Sequence, residues 1–193
     1  GKHQISHLKD SGYIRYENEN LISLMDVGHV GPSCQPGHAH ADTLSFEVSI
    51  FGEKFITNSG TSTYDDSSLR NFQRSTISHN TVFINEKNSS EVWSSFRVAR
   101  RAKPFDLCID TKKNKISCKH DGYKRLKNRI VHCREWTYQK TSFLIEDNII
   151  GDFQNASCFF YFHPECSIKM KDDKIICFIN GRSLELKISS NKF

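Results

Sequence analysis

The sequence predicts an all-β fold, an antiparallel β-sandwich with few or no helices. Three observations carry this. Short apolar runs recur along the chain with turn residues between them, the spacing of sandwich strands. Leu44, Phe46, Val48 and Ile50 alternate with Ser45, Glu47 and Ser49, the period of a half-buried strand. Asn180-Gly181 separates two apolar runs, the strongest short-range hairpin signal. Composition agrees, since 14 phenylalanines stand against 2 methionines and aromatic residues favour strands.

The elements follow in order. After the Leu44–Ile50 strand, Gly52 makes a turn and Phe55–Thr57 is the next strand. Ser67–Arg74 has room for a helical turn or two. Further strands are expected at Thr81–Ile84, Phe105–Ile109, Lys115–Lys119, Val131–Tyr138, Ser142–Glu146 and Ser157–His163. Ile175–Ile179 and Ser183–Ile188 flank the Asn-Gly turn. No repeat, low-complexity tract or linker interrupts them, so residues 1–193 read as one domain. A chain of 193 residues is long enough for one sizeable core. It lacks an initiator methionine, and Ser189 to Phe193 read as the cut end of a longer parent.

No apolar run is long enough to cross a bilayer, so no membrane insertion is expected. A nucleic-acid partner is not expected either. The net charge of +5 suits an acidic partner and is concentrated in one stretch. Arg70, Arg74, Lys87, Arg97, Arg100, Arg101 and Lys103 face only Glu86 and Glu91 there. A solvated basic face is the plain alternative. The seven cysteines include no Cys-x-x-Cys pair, which argues against a zinc ribbon and for buried free thiols.

The densest chemistry lies in Pro36-Gly37-His38-Ala39-His40-Ala41-Asp42. If the Leu44 strand runs back through it, His38, His40 and Asp42 share parity with the apolar stripe. Polar groups facing inward need partners, and metal coordination or catalysis would supply them. His-x-His is a chelating arrangement that needs further ligands, for which Asn58 and His79 are at hand. A satisfied histidine pair without metal is the alternative. Glu47 follows too late for the histidine–glutamate spacing of a cupin.

Other residues carry weaker signals. Tyr64 follows the flexible Gly60 turn and would serve as acid or base if nearby cations favoured its phenolate. Arg70 and Arg74, four apart, share one helical face and could clamp a carboxylate. A surface salt bridge is the competing reading. Trp93 and Phe96 beside Arg97 make either a sugar-stacking platform or ordinary core. His120 and His163 read as structural.

Six ordered blocks then resemble one family. They are Gly37-His38-Ala39-His40-Ala41-Asp42-Thr43-Leu44-Ser45-Phe46, Asn58-Ser59-Gly60-Thr61, and Arg70-Asn71-Phe72-Gln73-Arg74-Ser75-Thr76 leading to His79-Asn80-Thr81-Val82. Val92-Trp93-Ser94-Ser95-Phe96-Arg97-Val98, His120-Asp121-Gly122-Tyr123 and Phe162-His163-Pro164 complete them. Together they look like the C-terminal domain of heparinase II/III-like polysaccharide lyases.

The resemblance implies a two-part enzyme, with an upstream α/α toroid domain and the substrate between the two. The substrate would be a uronic-acid-containing anionic polysaccharide, such as heparan sulfate or alginate, cleaved by β-elimination. Carried over, the catalytic residues here are His38 and Tyr64, with the toroid supplying the rest. This chain alone is then expected to be inactive. Arg70, Arg74 and Arg97 would meet the substrate's acidic groups. A structural zinc would be held by His40, Asn58 and His79. The family usually has aspartate where Asn58 stands, and an amide oxygen is a weaker zinc ligand. Asp42 stands near enough to substitute. A periplasmic or extracellular site is implied. The alternatives are a non-catalytic glycan-binding or structural β domain, or a role in surface-polysaccharide biosynthesis.

Overall fold

The computed structural model describes residues 3–172 and 174–190. Gly1, Lys2 and residues 191–193 of the expected cut end at Ser189 to Phe193 lie outside the described residues. The first sheet is a five-stranded meander of β1 (Gln4–Leu8), β2 (Tyr13–Glu17), β3 (Leu21–Asp26), β4 (Phe46–Ile50) and β5 (Glu53–Ile56), each antiparallel to the next. A helix follows, α1 (Ser68–Arg74), then a single 3-10 turn (Thr76–Ser78) and β6 (Val82–Ile84). The hairpin β7 (Val92–Trp93) and β8 (Arg97–Val98) comes next. The second sheet is β9 (Pro104–Asp110), β10 (Lys115–His120), β11 (Val131–Tyr138) and β12 (Phe143–Ile150). β13 (Ala156–Cys158) pairs with β6. A small sheet of β14 (Ser167–Lys171), β15 (Lys174–Ile179) and β16 (Arg182–Lys187) ends the chain.

The two large sheets share one core, which makes the architecture a sandwich. Ile14, Tyr16, Met25, Phe46 and Val48 from the first pack with Ile116, Trp136 and Tyr138 from the second. The Tyr16 and Tyr138 rings stack across the gap at 4.1 Å. Along β11 every second residue is buried, so His132, Arg134, Trp136 and Tyr138 all face inward. The inner face is therefore apolar at one end and polar at the other. The Asn180-Gly181 hairpin forms as expected, with φ of 46° and 74° at its two positions.

Three expectations change. β1, β2, β3, β7, β8 and β14 arise where no strand was expected, although Ile14 and Tyr16 already alternate with polar neighbours. The apolar alternation does not continue back through the histidines, because β4 starts only at Phe46. Leu44 takes φ of 64°, and the Ser45 N–H closes a turn onto the Asp42 carbonyl. The expected Ser157–His163 strand is shorter, since past Cys158 the chain crosses to the edge of β5, where the Thr57 N–H meets the Tyr161 carbonyl. All seven cysteines are free thiols, but only Cys118 and Cys177 are buried, while Cys34, Cys108 and Cys158 are exposed.

Candidate functional site

Helix α1 organises the site. Ser67 caps it by accepting from the Arg70 N–H at 3.1 Å. Arg70 and Arg74 lie one turn apart on its inner face, and both are fully buried. Arg74 donates to three carbonyls, of Ala39 at 3.1 Å, Ser94 at 2.7 Å and Arg97 at 3.2 Å. It therefore pins the histidine loop and the β7–β8 hairpin to the helix. Arg70 donates through Nε to the Ser95 carbonyl, and its Nη1 lies 3.1 Å from the Thr61 hydroxyl and 3.2 Å from His40 Nε2. Its Nη2 is buried with no hydrogen-bond partner among the described residues.

The polar run after α1 is buried for the same purpose. The Thr76 hydroxyl donates to the Ala41 carbonyl at 2.8 Å, and the Ala41 N–H donates to the Arg74 carbonyl. The Asn80 amide donates to the carbonyls of Phe46 and Thr57 and accepts from the Tyr161 N–H. Each buried polar side chain here closes a loop that carries a site residue.

His40 and His79 face each other, with His40 Nδ1 3.2 Å from His79 Nε2. Burial lowers the pKa of both, that of His79 to about 4, and the nearby His79 ring lowers His40 further. Both rings are thus neutral at neutral pH, which assigns their protons. His79 Nδ1 donates to Asn58 Oδ1 at 3.2 Å, leaving its Nε2 as acceptor. His40 Nδ1 then donates to His79, and His40 Nε2 accepts from Arg70 and Thr61.

His40, Asp42 and His79 form a group that could hold a metal ion, their donor atoms all lying within 4.8 Å of one another. Asn58 stands on the opposite nitrogen of the His79 ring, and its Oδ1 also accepts from the Gly60 N–H at 3.1 Å. The Asp42 carboxyl has its pKa raised by burial, against the pull of His40. Asp26 is raised further, by burial and by Asp42. His40, Asp42, Asn58 and Asp26 border a hollow of about 400 Å³, which Tyr13, His29, Glu47 and His38 also line.

His38 and Tyr64 meet at the surface beside this hollow. Their rings stand edge to face at 5.2 Å, with Tyr64 55% exposed. The Arg70 guanidinium lies 5.2 Å from the Tyr64 ring centre, and Phe96 stacks on Tyr64 at 6.2 Å. Arg97 is exposed and lies over the Trp93 ring at 5.0 Å. Trp93 and Phe96 are both about half exposed, so neither is core.

Residues 1–190 match the family model described as heparinase II/III-like, C-terminal. The chain belongs to this heparinase II/III-like family. Its fold is similar to that of heparan sulfate lyase HepC from Pedobacter heparinus, at 18% identity and a TM-score of 0.74 over 97% of this chain and 29% of that one. It is likewise similar to a heparinase III structure, at 18% identity and a TM-score of 0.73 over 98% of this chain and 30% of that one. The chain thus spans less than a third of the length of those proteins, and at this identity the likeness is one of fold. No curated protein sequence matches it. Among the described residues no helix is long and apolar enough to cross a membrane.

Sequence reasoning missed two parts of this heparinase-like site. One is Asp26 with Tyr13, which reach Asp42 from a distant segment. The other is the support behind it, in which Arg134 donates to the carbonyls of Leu44 at 2.8 Å and Asn80 at 2.6 Å. Its signal was present, because Arg134 shares strand parity with Trp136 and Tyr138.

Proposed function

We propose that this domain is the β-sandwich part of a polysaccharide lyase that cleaves a uronic-acid-containing anionic polysaccharide by β-elimination. The meeting of His38 and Tyr64 on an exposed surface above a buried arginine carries the reading. In the reaction a base removes the C5 proton of the uronate. The electron pair forms the C4–C5 double bond as the C4–O4 bond breaks, and an acid protonates the departing O4. The C5 proton is hard to remove because charge then builds beside a carboxylate, and cationic donors there lower the barrier. His38 and Tyr64 supply the acid–base pair. Arg70, with one donor unspent, and the exposed Arg97 supply positive charge, while Arg74 holds the loops from beneath. The remaining groups come from an upstream helical domain of the parent chain.

The test uses the parent protein with heparan sulfate, alginate and a neutral glucan. Ultraviolet absorbance should rise with the acidic polymers as the conjugated double bond forms. The isolated domain should give no rise. Turnover by the domain alone would defeat the two-part reading. No rise from the parent on any acidic polymer would favour a binding domain.

The metal is proposed to be a structural zinc. The 3.2 Å between His40 Nδ1 and His79 Nε2 is close to the spacing of about 3.3 Å between two nitrogens of one tetrahedral zinc. Two neutral imidazoles and a carboxylate form a suitable donor set once the His40 proton moves from Nδ1 to Nε2, where the Thr61 hydroxyl oxygen can accept it. When bound, the ion would tie the loop of His38 and Asp42 to the segment of His79. Asn58 would orient His79 through its Nδ1–H, the role of an outer partner. Equilibrium dialysis should find one zinc per chain. Asn58→Ala should weaken binding by about 10–100-fold, and Asp42→Asn should weaken it more. The reverse order would make Asn58 the ligand. No zinc on the wild type would leave a hydrogen-bonded histidine pair.

A further inference from the structure

A second hollow, of about 610 Å³, shares no lining residue with the one beside His38. Lys87, Arg100 and Arg125 line it together with Trp93, and Glu91 is its only acidic lining residue. Three cations thus face one carboxylate. Glu91 is already engaged, because Arg100 grips it through Nε at 2.8 Å and Nη2 at 2.6 Å, while Arg125 Nε stands 3.7 Å away. Arg100 is nonetheless 70% exposed along its side chain. Lys87 is exposed and has no ionic partner among the described residues.

Trp93 is 49% exposed, an unusual position for the largest apolar side chain unless something covers it. It is also held in place. Trp93 and Arg97 are cross-strand partners in the β7–β8 hairpin, and the Arg97 guanidinium lies 5.0 Å from the indole centre. Arg97 is not among the residues lining the hollow. The hairpin itself is fixed by Arg70 and Arg74, which donate to the carbonyls of Ser94, Ser95 and Arg97.

An anchored indole beside the unpaired Lys87 and the exposed Arg100, whose Nη1 is not spent on Glu91, suits a ring with an apolar C–H face and negative groups at its rim. An acidic pyranose has that form. We propose that this hollow is a subsite for an acidic sugar unit, separate from the His38–Tyr64 surface. Trp93 stacks on the sugar ring, and Lys87 and Arg100 meet its carboxylate or sulfate. The substrate class rests on the lyase reading above. The hairpin links the two surfaces, since Phe96 in its turn packs on His38 and Tyr64 while Trp93 enters that turn from the other strand.

The chain offers its own reporter. Its other tryptophan, Trp136, is fully buried, so quenching by acrylamide reads Trp93. Heparin and alginate hexasaccharides should bind saturably, protect Trp93 from quenching and bind more weakly as salt is added. Cellohexaose should not bind. By calorimetry, Trp93→Ala and the double variant Lys87→Ala/Arg100→Ala should each lose about tenfold or more in affinity, whereas Lys112→Ala, at an exposed lysine that does not line the hollow, should bind as the wild type does. No binding by the wild-type chain would overturn the subsite. So would equal binding of cellohexaose, equal binding of inorganic polyphosphate, or unchanged affinity in both groove variants. Cleavage by the parent with a KM that Trp93→Ala leaves unmoved would overturn it and leave the lyase reading intact. Trp93-dependent binding by a parent that cleaves no acidic polymer would do the opposite.

Discussion

Asp147→Asn is expected to lower the stability of the domain by about 3–5 kcal/mol, the cost of stranding a buried charge. Arg134 is fully buried on the inner face of β11. Its Nε and Nη2 donate to the two oxygens of Asp147 at 2.7 and 2.8 Å, and its Nη1 donates to the carbonyls of Leu44 and Asn80. Asp147 also accepts from His132 Nε2 at 2.6 Å. That fixes His132 Nδ1 as acceptor for His120 Nε2 at 3.1 Å, and His120 Nδ1 accepts the Gly122 N–H. Burial lowers the pKa of both histidines, so the line is neutral up to its one ion pair. The asparagine variant keeps the shape and removes the charge, leaving a guanidinium with no counter-ion.

The same pair sets a pH dependence. Arg134 and the His132 hydrogen bond hold the Asp147 carboxyl far below the usual carboxylate range, against the opposing effect of its burial. A depressed carboxylate stabilises fully above its unfolded pKa, about 3.9, and that contribution fades as pH falls toward the folded value. The wild type should therefore lose stability on acidification below that value, and Asp147→Asn should lose less. Urea midpoints at neutral pH and near pH 3 measure both effects. A midpoint shift worth less than about 1 kcal/mol would mean that the pair is no better than a surface salt bridge.

The second large effect is expected on catalysis. In the parent protein, His38→Ala and Tyr64→Phe should each lower kcat by about 10²–10⁴-fold, the usual share of a positioned acid or base. Tyr64→Phe is the sharper of the two. It keeps the ring that packs on His38, Phe96 and Arg70 and removes only the hydroxyl. The Tyr64 hydroxyl makes no hydrogen bond that holds the fold among the described residues, so the thermal midpoint should hold while turnover falls. Turnover within about threefold of wild type would remove Tyr64 from the chemistry and leave it a packing residue.

Much of this molecule was legible from its residues in order. The alternation in Val131–Tyr138 gave a strand with those bounds, and Asn180-Gly181 gave its hairpin. Both are local signals, since side-chain parity and φ are set within a few residues. The His38-x-His40 pair and the Arg70/Arg74 pair also stood out, because short spacings imply a shared face. Their roles were not equally legible. Two arginines four apart look alike in sequence, yet Arg74 spends its donors on three carbonyls while Arg70 keeps Nη2 unspent. Parity misled once, at Leu44, where a left-handed turn separates the histidines from the strand.

The sequence by itself determined the sandwich class, the order of its later strands and the residue types brought to the site. Those rest on periodicity, turn chemistry and composition, which are carried by neighbours along the chain. Only the tertiary structure decided which groups meet. It put Asp42 with His40 and His79, Asn58 on the far nitrogen of His79, and Asp147 behind Arg134. Apart from Asp42 and His40, those pairings cross 13 to 39 positions of chain, as in Arg134–Asp147 and His40–His79. They exist because the packed core and buried guanidiniums leave each loop one place where its polar groups are satisfied.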